Sequence, residues 1–378
     1  LALILWYMIE LQWHHRCLRK IPTRILVSGS RGKSSIVSLI YAGVCASQKT
    51  MAKTTGSRAA IIGSDGTETR LLRQGTATIL EHLKIIRMAV KNKAQVVIVE
   101  SMAIRPEVQK VESHLFIRPT IHVLATIRPD HLDILGHDTS RLALAYLEAV
   151  PRSATLIVTP ETRDRFVAAN AFSHQFMLAA LPEERAGDIK KHLPYVEHDE
   201  NIQLAFCVCR QLGIAAEQIV AGMKKARPDP GALTVNRIII DGKTVTFINA
   251  FAANDPESIG KIWREQWSRF EKGTPSMVII NTRRDRQYRT IQLAHLIGKE
   301  MVADVYVVAG TGIELFLHHL DWDRTDGRVY TSSGSSVKKL LKKCKPLLLE
   351  EMVVFGMGNF TGLGESLSGL FTPALPSQ

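Results

Sequence analysis

The stretch Ser28-Gly29-Ser30-Arg31-Gly32-Lys33-Ser34-Ser35 sits where a strand-like apolar run, Arg24 to Val27, gives way to Ile36, Val37, Leu39, Ile40 and Val44 at helical spacing. Such a loop can hold phosphate. Gly29 and Gly32 let backbone N–H groups converge on an anion, Lys33 can reach terminal phosphates, and the Ser34 hydroxyl at a helix N-terminus can bind Mg²⁺. Ser30, Arg31 and Ser35 complete the set of candidate nucleotide contacts. The Walker spacing asks for another glycine where this chain has Val27, so a Gly/Ser turn feeding a helix is the plain alternative.

Two more polar groups follow apolar runs of the kind that form parallel strands, whose C-terminal ends are where ligands gather. Glu100 closes Val96-Val97-Ile98-Val99, and Asp130-His131-Leu132-Asp133 follows the run Ile121 to Ile127. Alone, such a Glu is as often a helix cap and such a His a structural one. Beside Lys33 and Ser34, a carboxylate and an imidazole meet the needs of one or two Mg²⁺ ions on a triphosphate.

The elements that must position these groups read as α/β. Leu156 to Val158 continues the first series of buried runs, which breaks at Ala226-Arg227-Pro228-Asp229-Pro230-Gly231, a turn-rich stretch that no helix crosses. Beyond this boundary, Val235 to Ile240 and Val245 to Ile248 flank Asp241-Gly242-Lys243 as a hairpin. Strands near Met277 to Ile280, Val305 to Val308 and Met352 to Phe355 then alternate with helices, as in a second, smaller Rossmann-like domain. The expected organisation is an N-terminal stub over residues 1–20, an ATP-binding domain over 21–230 and a C-terminal domain over 231–378.

With 378 residues, 46% of them hydrophobic, the chain can bury two real cores. Its five cysteines fall in no CxxC or finger-like spacing, which argues against structural zinc and a disulfide framework and for a reducing compartment. A net charge of +12 points to anionic company. Aromatic residues make up only 6% and do not interleave with the basic ones, which disfavours nucleic acid as a partner.

Leu1 to Trp13 is apolar except for Glu10 and Gln12 and is followed by His14, His15, Arg16, Arg19 and Lys20. It is too short to span a bilayer, and reads either as the cytoplasmic end of a membrane helix with a positive-inside flank or as a packed N-terminal helix. The helix expected over Ser335 to Lys345 puts Val337, Leu340, Leu341 and Cys344 on one face and five lysines on the other, a solvated face or a contact for anionic lipid or polymer.

Taken in order, the Gly-Ser-Arg-Gly-Lys-Ser loop, Glu100, Asp130-His131-Leu132-Asp133-Ile134-Leu135-Gly136 and Asn201, which opens a helix ending near Leu212-Gly213-Ile214, resemble the central ATPase domain of Mur ligases and folylpolyglutamate synthases. Ala52-Lys53-Thr54-Thr55-Gly56, Glu100-Ser101-Met102-Ala103, Arg227 to Gly231, Asn249 to Pro256, Asn281-Thr282-Arg283-Arg284-Asp285-Arg286 and Gly356 to Glu365 are more narrowly similar to the ligase subunit of poly-γ-glutamate synthases, the CapB/PgsB type.

That resemblance implies a P-loop Mur-ligase-type ATPase domain followed by a smaller Rossmann-like one, with ATP and Mg²⁺ as cofactors. It also implies an ATP-dependent amide ligase that passes through an acyl phosphate to extend poly-γ-glutamate at the cytoplasmic face of a membrane. Its partners would be glutamate, the growing chain and membrane subunits of a synthase complex, with homo-oligomers also open. Lys33, Glu100, His131 and Arg286 would be catalytic, and Ser34, Glu100 and His131 would hold metal. Asn254 and Arg283 would contact the nucleotide, Arg283 or Arg286 clamping phosphates after closure about a hinge at Pro228 to Gly231. Lys53, Thr54, Thr55 and Arg73 are substrate-side candidates, with a solvated loop as the alternative. The carbamylated lysine of many Mur ligases has no counterpart, since no lysine lies between Lys110 and Lys190, and Glu148 is a candidate replacement. Other readings are a folylpolyglutamate-type or other amino-acid ligase, and a membrane-tethered P-loop ATPase without ligase chemistry.

Overall fold

The computed structural model describes residues 2–73, 77–127, 139–168, 176–253 and 255–371. One compact unit comprises the chain up to Leu193 together with Glu197–Asp229, and the other comprises Pro194–Val196 and the chain from Pro230. The division falls inside the Pro/Gly-rich stretch. The short detour at 194–196 is tied to the second unit by Val196 N–H, which donates to Leu233 O at 2.8 Å.

Among the described residues, eight strands lie in the first unit: β1 Thr23–Ser28, β2 Thr50–Thr54, β3 Ala60–Ile62, β4 Glu68–Arg70, β5 Val96–Glu100, β6 Ile121–Leu124, β7 Thr155–Val158 and β8 Phe176–Leu178. They form one sheet in the order β4-β3-β2-β5-β1-β6-β7-β8. From β2 to β8 all neighbours are parallel, and β3 and β4 extend the β2 side antiparallel. Every residue of β5 is buried, as expected for a central strand covered on both faces. β4 is exposed along its length, and its Glu68 and Arg70 suit an edge that must not recruit another strand.

Strand β6 is shorter than the apolar run suggests. After Leu124 the backbone serves the phosphate loop: Ala125 N–H donates to Ser28 O at 2.9 Å, and Thr126 O accepts from Ser30 N–H at 3.1 Å.

The helix Ala2–Arg19, α1, is two-natured. Its C-terminal half packs into the first unit through buried His14, Cys17 and Leu18, with His14 Nε2 2.7 Å from Phe116 O. Arg87 stacks 4.2 Å from the Trp13 ring centroid and pairs with Glu10. Leu5 to Ile9 and Trp13 remain at least half exposed. Among the described residues no helix is long and apolar enough to cross a membrane.

The second unit has β9 Thr234–Ile240, β10 Lys243–Asn249, β11 Ser276–Thr282, β12 Val305–Gly310, β13 Arg328–Ser333 and β14 Met352–Gly358, in the order β13-β12-β11-β14-β10-β9. All neighbours are parallel except β9 and β10. Their connection is one residue tighter than expected. Lys243 pairs with Ile240, leaving Asp241 (φ 51°) and Gly242 (φ 78°) as a two-residue turn whose positive φ values match the strand twist. Apolar clusters cover both faces of the sheet. The lysine-rich helix is Val337–Cys344, capped by Ser336; it buries Leu340 and Cys344 and leaves Lys338, Lys339, Lys342 and Lys343 in solvent.

Candidate active site

The phosphate loop leaves the C-terminal end of β1, between β5 and β6. Gly29 has φ 119°, and a Cβ there would lie 2.9 Å from the backbone oxygen of Ala125, so only glycine fits. Gly32, at φ 79°, caps helix α2, Lys33–Val44, and a Cβ on it would strike the Asn201 amide. The N-cap glycine offers no side chain to the first N–H groups of α2, which suits them to an anion. Buried Ile36, Val37, Leu39, Ile40 and Val44 fix the helix against the sheet.

Lys33 Nζ donates to Gly29 O at 2.8 Å and to Ser30 O at 3.4 Å, which folds the ammonium over the loop. Ser30 is buried, while Arg31, Ser34 and Ser35 are half-buried. From the neighbouring strand, Glu100 (3% exposed) accepts from Ser34 Oγ at 2.8 Å and from Thr55 N–H at 2.6 Å, both on Oε2. Hydroxyl, carboxylate and phosphate loop therefore meet at one sheet edge. A cleft of about 250 Å³ opens there, lined by Gly29, Ser30 and Lys33, by Thr55, Gly56 and Glu100, and by Arg73, Met102 and Tyr146.

Among the described residues no three His, Cys, Asp or Glu side chains form a ready metal cage. Mg²⁺ needs none, because it keeps waters and phosphate oxygens and takes one or two protein donors. Ser34 and Glu100, already in contact, fit that requirement.

Two of the four substrate-side candidates are not in a solvated loop, whereas Thr55 and Arg73 are in loops and Arg73 is exposed. Lys53 and Thr54 belong to β2 and are buried, Lys53 completely. Lys53 Nζ lies 3.3 Å from Glu81 Oε2 and 3.7 Å from Met102 Sδ. Burial pulls its amine below the ordinary lysine range, against the opposing pull of Glu81. Glu81 also accepts from Arg73, Nε at 2.7 Å and Nη2 at 3.1 Å. Burial works to raise the Glu81 carboxyl, but Arg73 and Lys53 together hold it below the usual range.

The next residue carries a second network. His82 Nε2 is 2.7 Å from Glu112 Oε1, which also accepts from Met102 N–H at 3.0 Å, while Ser101 Oγ donates to Glu112 Oε2. Burial lowers the His82 pKa; burial alone would raise the Glu112 carboxyl, and its bond to His82 instead holds it low. The pair is thus a neutral imidazole donating to a carboxylate. Helix α3, Glu81–Lys91, therefore anchors both walls of the cleft through its first two residues.

Glu148, the candidate replacement for the missing lysine, does not line the cleft. It ends the helix Thr139–Glu148, 61% exposed, paired with Lys110 at 2.6 Å. Tyr146 is the residue of that helix that lines the cleft, and two residues along a helix is about 200° around it. His131 and Asn254 lie outside the described residues.

In the second unit, Arg283 follows β11 and forks onto Asp285 at 2.9 and 2.6 Å, holding that carboxyl below its usual range. Arg286 stands exposed before the helix Gln287–Lys299. The ends of β11 and β14 are stitched by Asn281 and Asn359, whose side-chain amides each donate to the other's backbone oxygen. Gly358 (φ 101°) permits this, since a Cβ on it would collide with Asn281.

The residue patterns of the sequence omitted several groups. Buried His122 bonds Ser28 Oγ at 2.7 Å at the foot of the loop. Glu197, its carboxyl pushed up by burial, accepts from Asn201 Nδ2 at 2.7 Å behind Gly32. Nothing in the spacing of Glu81, His82 and Glu112 sets them apart from ordinary helix-surface residues.

Residues 27–152 match the Mur ligase middle domain and residues 235–373 match the poly-gamma-glutamate synthase CapB C-terminal domain. The chain is 29% identical over 370 residues to the capsule biosynthesis protein CapB of Bacillus anthracis, covering 97% of this chain and 80% of that protein. It is 28% identical over 380 residues to PGA synthase CapB of Bacillus subtilis (strain 168), covering 95% and 92%. Its fold is that of E. coli FolC in complex with ADP, with a TM-score of 0.68 at 15% identity over 95% of this chain and 92% of that one. The bifunctional folylpolyglutamate synthase/dihydrofolate synthase of Yersinia pestis complexed with AMPPNP and Mn ion gives 0.67, also at 15% identity, over 95% and 92%. With the phosphate loop in a Mur ligase middle domain and a CapB C-terminal domain following it, and with similarity along nearly its whole length to two proteins named CapB, the chain is an ATP-dependent amide ligase.

Proposed function

We propose that this ligase builds poly-γ-glutamate by activating a glutamate carboxylate as an acyl phosphate. The carrying observation is the convergence of Ser34 and Thr55 on Glu100 beside Lys33, in one cleft at the sheet edge. In this reading the α2 N-terminus and Lys33 hold the phosphates of ATP and offset charge that spreads over the transferring group. Ser34 and Glu100 would hold Mg²⁺, which would supply charge neutralisation to the triphosphate.

The chemistry has two steps. A carboxylate oxygen bonds to the terminal phosphorus as the bond to ADP breaks. The amine of the incoming residue then bonds to the acyl carbon as the phosphate leaves, giving the amide, phosphate and a proton. Similarity to two proteins named CapB supports glutamate and its polymer as the substrates, and a net charge of +12 suits a polyanion.

Hydroxylamine trapping tests the reaction. Glutamyl hydroxamate should form only with ATP and glutamate together, and ADP release without hydroxamate would sink the acyl phosphate.

Membrane association is part of the same proposal. The exposed residues Leu5 to Ile9 with Arg16, Arg19 and Lys20 behind them suit an interface anchor, and partner membrane subunits are the expected neighbours. Deleting residues 2–13 should abolish sedimentation with anionic vesicles; unchanged sedimentation would refute the anchor. Whether the chain self-associates is open to light scattering.

A further inference from the structure

The cleft has an electrostatic layout that nucleotide binding does not use. Along the sheet edge the phosphate loop follows β1, Glu100 ends β5, and Lys53 with Thr54 and Thr55 ends β2. Neighbouring strands lie about 4.8 Å apart, so the β2 wall stands roughly 10 Å from the phosphate loop, with the Glu100 carboxylate between them. A group seated against β2 is therefore set apart from the phosphate loop by one strand, with Glu100 between them.

That wall is positive. Lys53, fully buried, and Arg73, its side chain 28% exposed, both pair with the carboxylate of Glu81, while Glu100 on the next strand adds a weaker pull on Lys53. Arg73 lines the cleft, while Lys53 is sealed beneath it against Met102. The Glu81 carboxylate engages two N–H groups of Arg73, Nε and Nη2, out of five that a guanidinium carries. Such a fork, fixed on one edge, is preorganised for a second carboxylate on another. The Lys53 charge beneath keeps Glu81 from neutralising Arg73 completely.

Resting on the ligase reading above, we infer that Arg73 is the specificity residue that reads a carboxylate of the acid substrate, and that Glu81 and Lys53 are positioning residues that hold it there. The class of ligand is thereby set: an acid carrying a second carboxylate besides the one that reacts, as each γ-linked glutamate unit does.

The test compares wild type, Arg73→Ala and Arg73→Lys by ADP release against glutamate, a γ-glutamyl oligomer and the α-amides of both. Arg73→Ala should raise KM for the acids at least tenfold, leave KM for ATP within twofold, and erase the preference for acid over amide. Arg73→Lys should recover part of that preference, which a purely structural role would not. Arg73→Ala with an unchanged acid KM and an unchanged acid-to-amide ratio overturns the inference, and so does a fall in kcat alone. Should glutamate be inert while another dicarboxylic acid supports ADP release, the polymer reading falls and the same ratio, measured with that acid and its amide, decides the role of Arg73.

Discussion

Ser34 Oγ donates a 2.8 Å hydrogen bond to Glu100 Oε2 across 66 residues of sequence, joining the start of α2 to the end of β5. The same carboxylate oxygen takes the Thr55 N–H, so the acid is held from both sides. A carboxylate fixed in this way loses little freedom when it takes up a cation, directly or through water.

Lys33→Ala should lower glutamate-dependent ADP release by at least about 10²- to 10³-fold, the scale for removing one preorganised charge-stabilising group. A thermal melt checks that the variant is folded, since Lys33 also bonds the loop carbonyls of Gly29 and Ser30. Near-normal turnover would refute its role.

Glu100→Gln keeps the shape and removes the charge. Half-saturation by Mg²⁺ should rise by at least about tenfold, the lower range seen when groups supporting a metal are altered. A magnesium titration of ADP release reads this directly, and an unmoved midpoint would remove Glu100 from the metal.

Glu81→Gln strips Lys53 of its charged partner, which should cost on the order of 3 kcal/mol of stability at neutral pH. Burial already draws the Lys53 amine below its ordinary 10.5. The folded state therefore sheds that proton first, and the deficit of the variant should shrink as pH rises toward 10.5. Denaturant melts at two pH values settle the sign.

His82 has a folded pKa below 6.5, so the unfolded chain binds its proton first as pH falls. Stability should decline below pH 6.5 with a slope of up to about 1.4 kcal/mol per pH unit from this one group. Glu112, also lowered, adds a further loss below 4.5. His82→Gln can still donate to Glu112 and should flatten the first segment only; an unchanged slope there would acquit His82.

Glu148→Gln should leave turnover as in the wild type and stability within about 0.5 kcal/mol, as for most surface substitutions. Its partner Lys110 is itself 47% exposed, and such pairs contribute little.

The sequence by itself determined the α/β alternation, the phosphate loop, the division near Pro228 to Gly231 and the Asp-Gly hairpin. All of these are local: buried parallel strands read as continuous apolar runs, and turns need residues that tolerate positive φ. It also placed Glu100 correctly at a strand end, because a charge closing a run such as Val96 to Val99 is visible without a fold. Only the tertiary structure decided which carboxylates face the cleft. Glu148 sits two residues from a cleft-lining tyrosine and still points to solvent, while Glu81, His82 and Glu112 turn inward from helices with ordinary patterning. Lys53 shows the reason most plainly. In sequence it is one more lysine in a polar stretch, and it becomes a buried cation only because β2 pairs with β5 and helix α3 brings Glu81 across to meet it. Burial of a charge depends on partners distant in the chain, and those partners are fixed by sheet order rather than by spacing.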